Sequence, residues 1–259
     1  MELKARCQIA FEAAAPTPVI LMLRPRSGFG QWIIKEEYLL EPQLPVIEYT
    51  DSYGNLCQRL VVPEGSLSVD TTFHVATPDQ VEIDLEARFV PVQDLPETVL
   101  QWLLPSRYCQ SDRLGQLANE IVEGCQPGYA QVEAIRQWIH HNVEYAYGTS
   151  DASTSAVDTA DERIGVCRDF THLGMALCRS LNIPARMVVG YLYQLEPMDL
   201  HAWFEAYVGD RWYVFDATQP ETKGNRIAVA YGRDAADVAL ATQFGPLSLN
   251  QLTVSVEAA

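Results

Sequence analysis

The stretch that decides the fold is GVCRDFTHLGMALCRSLNIPARMVVGY, residues 165–191, because it sets a cysteine where a helical pattern begins. Phe170, Leu173, Leu177 and Leu181 recur every three or four positions, the period of a helix with one buried face. The spacing predicts a helix over about 166–181, with Gly165 as N-cap and Pro184 as the stop, since a residue before proline is pushed out of helical conformation. Cys167 falls on the same face as Gly174 and Cys178, and these small residues imply close approach of another backbone, with Cys167 turned inward. A thiol in a first turn lies at the positive end of the helix dipole, among N–H groups with no intrahelical acceptor. Both favour the thiolate, which is the nucleophile, and the same N–H groups suit a developing oxyanion. A buried structural cysteine has the same local signature, so chemistry at Cys167 requires a partner.

The chain has five histidines. His74 lies among strand-like segments, and His140 and His141 sit late in a helical pattern, off its apolar face; all three read as structural or surface residues. His172 leaves the Cys167 helix on a different face. His201 opens HAWFEAYV (201–208), where a period of two puts His201, Trp203, Glu205 and Tyr207 on one face. A two-residue loop at Gly209–Asp210 would join this strand to WYVFDAT (212–218). In that register Trp212, Val214, Asp216 and Thr218 share the His201 face, with Asp216 opposite Trp203 and diagonal to His201. A three-residue loop would break the register. Together the residues suit covalent catalysis: Cys167 attacks, His201 takes and returns the proton, and Asp216 holds the imidazole tautomer and orientation.

At 259 residues the chain is long for one domain and comfortable for two, and 48% hydrophobic against 20% charged residues is enough for real cores. A formal net charge of −16 repels phosphate backbones and anionic lipid, so neither nucleic acid nor a membrane is expected as partner. PVILMLRP (18–25) is too short an apolar run for a signal or a membrane span. Cysteines 7, 57, 109, 125, 167 and 178 show neither CxxC nor Cys/His ligand spacing, so reduced thiols, no metal and a cytoplasmic location are expected.

The first hundred residues read as strands separated by turn residues: 17–27, 31–40, 46–62, 66–77 and QVEIDLEARFV at 80–90. Prolines at 91, 96 and 105 end that pattern, which divides the chain into a β-rich, sandwich-like or barrel-like domain at 1–104 and a second domain at 105–259. In the second domain helical patterns occupy 112–125 and 129–145, small polar residues at 148–162 suggest a loop, and strands return at 185–195, 200–208, 211–218, 226–232 and 252–258. The class is α+β, helices ahead of an antiparallel sheet.

Two blocks, 165–191 and DLHAWFEAYVGDRWYVFDAT at 199–218, in the order Cys, His, Asp, resemble the transglutaminase-like superfamily of cysteine hydrolases, and the likeness extends over about 105–220. LMLRPRS (21–27) and YTDSYGN (49–55) resemble the β-rich region that precedes such domains in bacterial members. The resemblance implies a papain-like α+β core behind a β-sandwich-like N-terminal domain, with Cys167, His201 and Asp216 as catalytic triad. It implies a thioester acyl-enzyme, cleavage of a peptide or isopeptide-type amide in a peptide or protein substrate, and no cofactor. RDF follows the cysteine here, as in bacterial hydrolase-like members, where animal cross-linking enzymes carry tryptophan, which points away from transamidation; nothing in the sequence suggests the extra domains or calcium sites of the animal enzymes, so no calcium dependence is expected. A transamidase using the same triad, and a catalytically idle binding module, are the competing readings. Trp203, Arg168 and Tyr147 are the substrate-contact candidates, with Tyr145 bordering the same site, and the side-chain half of the oxyanion hole is left open.

Overall fold

Alternation in the opening ELKARCQIAFEA builds the strand around which the N-terminal half is assembled. In the computed structural model, which describes residues 1–28 and 30–259, β1 (Glu2–Ala13) turns Leu3, Ala5, Cys7, Ile9, Phe11 and Ala13 inward. Half of its inward residues are alanine or cysteine, so its apolar signal in the sequence is weak. β2 (Thr17–Arg24), β3 (Trp32–Glu41), β4 (Ile47–Thr50), β5 (Leu56–Val62) and β6 (Gly65–Ala76) follow. Helices α1 (Glu97–Leu100), α2 (Gly115–Ile121) and α3 (Tyr129–Asn142) come next, then β7 (Glu144–Tyr145), α4 (Ala156–Glu162), β8 (Ile164–Gly165) and α5 (Cys167–Ser180). The chain closes with β9 (Ala185–Leu192), β10 (His201–Val208), β11 (Arg211–Phe215), β12 (Arg226–Gly232), β13 (Ala241–Gln243) and β14 (Leu247–Ala258).

Two four-stranded sheets, β14-β1-β6-β3 and β13-β2-β5-β4, enclose the first core, and β11-β10-β9-β12 forms the sheet of the second half. The class is therefore α+β as expected, but the last two strands depart from the sequence reading. Residues 241–258 are built into the N-terminal sheets, with β14 antiparallel to β1 from Leu3↔Ala258 to Ala13↔Leu247. The open edge of β1 supplies the backbone groups that β14 needs, and Leu247 and Val256 enter the sandwich core. QVEIDLEARFV does not form a strand. It crosses to the helical half, where Ala87 and Arg88 accept the N–H groups of Tyr129 and Gly209, and it leaves Ile83 and Leu85 exposed. Part of the expected loop at 148–162 is helix α4, started by Ser155 and Asp158, whose carboxylate accepts from the Ser155 N–H and hydroxyl.

α5 covers the β9–β10 sheet with Phe170, Leu173 and Leu177, all buried. Gly174 meets the Phe204 ring of β10 and not a backbone, so the small-residue face accommodates an aromatic side chain. The helix starts one residue later than expected. Val166 is the N-cap, its N–H donating to Asp169 Oδ2 at 2.9 Å, and Gly165 is required because a side chain there would strike Asp169. β9 lies between β10 and β12, and its Gly190 faces His201 on one side and Ala228 on the other. A methyl group on Gly190 would overlap the carbonyl oxygen of Ile227, a backbone atom held in the sheet. Gly190→Ala should therefore destabilise the protein by about 3 kcal/mol in urea unfolding. Gly115→Ala, where nothing stands within 4 Å, should be neutral or stabilising.

Candidate functional site

Cys167 is the first residue of α5 and is half-buried. As the first helical residue it has an N–H without an intrahelical acceptor. β7 runs parallel to β8 with Tyr145 beside Gly165, and this short ladder brings the Tyr145 phenol against the thiol and the backbone N–H of Cys167. Burial raises the Tyr145 hydroxyl well above its ordinary value, with Cys167 and Tyr147 adding to the effect, so it stays protonated and able to donate.

The β10–β11 hairpin has the expected register, Phe204↔Phe215 through Val208↔Arg211, closed by Gly209 and Asp210 with φ of 56° and 64°. Positive φ at both central residues marks the primed turn whose twist suits a hairpin. His201 Nε2 accordingly meets Asp216 Oδ2 at 2.7 Å, with both residues buried. The Nε2–H donates to the carboxylate, which leaves Nδ1 for the Cys167 thiol, a hydrogen-bonding neighbour of the ring. Burial by itself would lower the imidazole, but the Asp216 charge and the ring's hydrogen bonding with Asp216 and Cys167 outweigh it and raise His201 to about 9. Asp216 is 1% exposed. Burial pushes its carboxyl up, yet Arg226 and then His201 hold it well below the usual carboxylate range.

Arg226 was not read from the sequence. It opens β12, its Nη2 donates to Asp216 Oδ2 at 2.8 Å and its Nε donates to the Lys223 carbonyl at 2.7 Å. A lone arginine ahead of the apolar IAVAYG was the one available signal. Thr218 completes the carboxylate shell, its N–H and hydroxyl both donating to Asp216 Oδ1.

The other candidates are placed as follows. Trp203 is 2% exposed in a cluster with Val188, Ala228 and Tyr231, its ring 6.1 Å from that of His201 and beneath the Arg226 guanidinium at 5.0 Å. Arg168 turns back to Asp169 Oδ1 and to the Asp151 carbonyl, so its Nε and Nη2 brace the start of α5. Tyr147 and Tyr145 pack edge to face at 5.5 Å and line a cavity with His201. His172 is buried away from the thiol, its Nε2 accepting the Ala235 N–H and its ring stacked on Tyr108, and burial lowers it to about 4. All six cysteines are free. Burial raises Cys7 to about 11 and Cys109 to about 12, so these thiols are poor nucleophiles beside the more accessible Cys167 and Cys125. Among the described residues no group of His, Cys, Asp or Glu is arranged to hold a metal ion, and no helix is long and apolar enough to cross a membrane.

Residues 115–217 match the family model described as the transglutaminase-like superfamily. The uncharacterized protein ML0607 of Mycobacterium leprae (strain TN) is 30% identical over 234 residues, 84% of this chain and 82% of that protein. The crystal structure of a chain described as a "putative cysteine protease" from Cytophaga hutchinsonii superposes with a TM-score of 0.91 at 39% identity, covering 100% of this chain and 90% of that one.

Two outcomes test the electrostatics. His201 binds its proton more tightly in the folded protein (about 9) than in the unfolded chain (about 6.5), so its contribution is fully present below about pH 6.5 and is lost as pH rises through about 9. Urea unfolding should show a decline on the order of 3 kcal/mol across that interval, and Asp216→Asn should remove most of the decline. Arg226→Met, which leaves a buried carboxylate short of a cation, should cost about 3 kcal/mol. Arg226→Lys should recover only part of that, because an ammonium lacks the fork that spans Asp216 and the Lys223 carbonyl.

Proposed function

The chain belongs to the transglutaminase-like superfamily, and we propose that it is a cysteine hydrolase cleaving a peptide or isopeptide-type amide through a thioester on Cys167. The observation that carries this reading is the 2.7 Å contact of His201 Nε2 with a buried, doubly neutralised Asp216, on an imidazole whose other side is offered to a helix-N-terminal thiol. His201 Nδ1 takes the thiol proton, the Cys167 sulfur attacks the carbonyl carbon, the C–S bond forms, and the carbonyl oxygen takes up negative charge. The backbone N–H of Cys167 and the Tyr145 hydroxyl are the donors for that oxyanion. As the C–N bond breaks, the His201 imidazolium gives its proton to the departing nitrogen. His201 then takes a proton from water as the water oxygen attacks the thioester carbon, and returns it to the sulfur as the C–S bond breaks, releasing the acid and the free thiol. Asp216 keeps Nε2–H directed at itself through both halves of the cycle, and so keeps Nδ1 as the working nitrogen.

Alkylation by iodoacetamide at pH 6, followed by peptide mass mapping, tests the pair. Cys167 should react about a hundredfold faster than Cys125, and His201→Ala should abolish the difference. Tyr145→Phe should leave alkylation close to wild type but slow acylation by p-nitrophenyl acetate by about a hundredfold, the usual effect of losing one oxyanion donor. Cys167 alkylating no faster than Cys125 would sink the reading.

A further inference from the structure

A cavity of about 130 Å³ opens beside the imidazole, lined among others by Tyr145, Tyr147, Glu196, Asp199, His201 and Gln219. It is well below the several hundred Å³ of a site for a whole small molecule, and it suits a single side-chain group. Its position relative to the chemistry decides which part of a substrate enters it. In the proposed reaction His201 protonates the departing nitrogen, so the leaving fragment departs past the imidazole. The cavity runs from Tyr145 and Tyr147 past His201 to the residues after Asp216 and the segment 195–200, and Cys167 itself is not among its lining residues. It therefore belongs to the leaving fragment and not to the acyl part that stays on sulfur.

Its lining has a consistent chemistry. Glu196 is exposed and Asp199 half-buried, and neither forms an ion pair among the described residues. Asp199 Oδ1 accepts the Leu200 N–H at 2.7 Å, which fixes that carboxylate at the cavity wall. Tyr145 and Tyr147 remain 42% and 57% exposed beside the reacting groups, although burying aromatic rings is ordinarily favourable. Exposed rings near two uncompensated carboxylates are the surroundings that hold a cation, through the ring faces and through charge. Among the described residues His201, its charge matched by Asp216, is the one basic side chain in the lining, no lysine or arginine joins it, and Leu195 and Leu200 supply an apolar wall for a methylene stem.

We propose that this cavity is a subsite for an alkylammonium or guanidinium side chain carried by the leaving fragment, which makes the enzyme selective for amides whose amine-side portion bears a lysine- or arginine-type group. The inference rests on the hydrolase reading but is tested apart from it. Small disulfides report on the subsite directly: the Cys167 thiolate attacks one sulfur, a new S–S bond forms, and the other half leaves as a thiolate that takes a proton, as the amine fragment would.

The probes are cystamine, whose halves are cationic, and neutral 2-hydroxyethyl disulfide, each read at Cys167 and Cys125 by mass mapping. The ratio of cystamine to neutral rate at Cys167 should exceed that at Cys125 by about tenfold. Glu196→Gln/Asp199→Asn should erase the excess, and Glu196→Gln alone, an exposed change that spares the fold, should lower it partway. Glu12→Gln/Glu64→Gln, with the same net-charge change within the β-rich half, should leave the excess intact. An excess that survives the Glu196/Asp199 changes, or that falls equally with the Glu12/Glu64 control, overturns the subsite while leaving the hydrolase reading in place. Failure of Cys167 to react with either disulfide overturns both.

Discussion

Asp216 is a carboxylate taken almost wholly out of water, and the arrangement of the second half follows from what is needed to keep it charged there. Removing such a group from solvent costs several kcal/mol, which is offset only when opposite charge and hydrogen bonds converge with good geometry. Here four donors do so: His201 and Arg226 on one oxygen, the Thr218 N–H and hydroxyl on the other. They come from three separate places in the chain. β10, the segment after β11, and β12 are thereby held in one relation, and the imidazole has only one orientation that satisfies the carboxylate.

β12 is an edge strand, and its outer side would otherwise present unpaired backbone groups. The β-rich half closes that edge with side chains in place of a strand. Gln31 both donates to the Ala228 carbonyl and accepts its N–H, and Asn55 does the same for Tyr231, all four contacts at 2.8 Å. Tyr191, Ile227 and Val229 of the second sheet enter the core of the sandwich. The N-terminal half is thus bound into the strand that carries Arg226, and a disturbance at Gln31 or Asn55 would be transmitted to Asp216 through the backbone of β12. The return of β13 and β14 to the N-terminal sheets ties the two halves a second time.

The two faces of the second sheet divide the work. Toward α5 it is apolar, with Phe204 filling the space left by Gly174. The opposite face carries the buried Arg186–Glu205 ion pair, with the Arg186 guanidinium over Trp212 and Tyr231, and the Trp203 cluster that backs His201 and Arg226. Polar groups are therefore concentrated where charge must be held in place, while the helix that carries Cys167 meets the sheet through apolar packing and is tied at its two ends by Arg168 and Arg179 to neighbouring backbone carbonyls.

Much of this was legible in the chain read by itself. The period of three to four around Phe170, Leu173 and Leu177 reveals α5, and the Gly209–Asp210 pair reveals the register that joins His201 to Asp216, because helical period and tight-turn chemistry are written in contiguous residues. Arg226, the Tyr145 phenol at the Cys167 amide, the strand β1 and the placement of β13 and β14 were not legible. β1 is obscured by its small inward residues, and the others depend on pairings between segments far apart in the chain, where single-sequence pattern carries no record of which distant surface a residue will face. The place of Cys167 on its helix and the histidine–aspartate pairing were determined by the sequence. The charge balance that holds the pair, the donors around the sulfur and the cavity beside the imidazole were decided only when the sheets closed against one another, since burial and charge compensation exist only in the assembled fold.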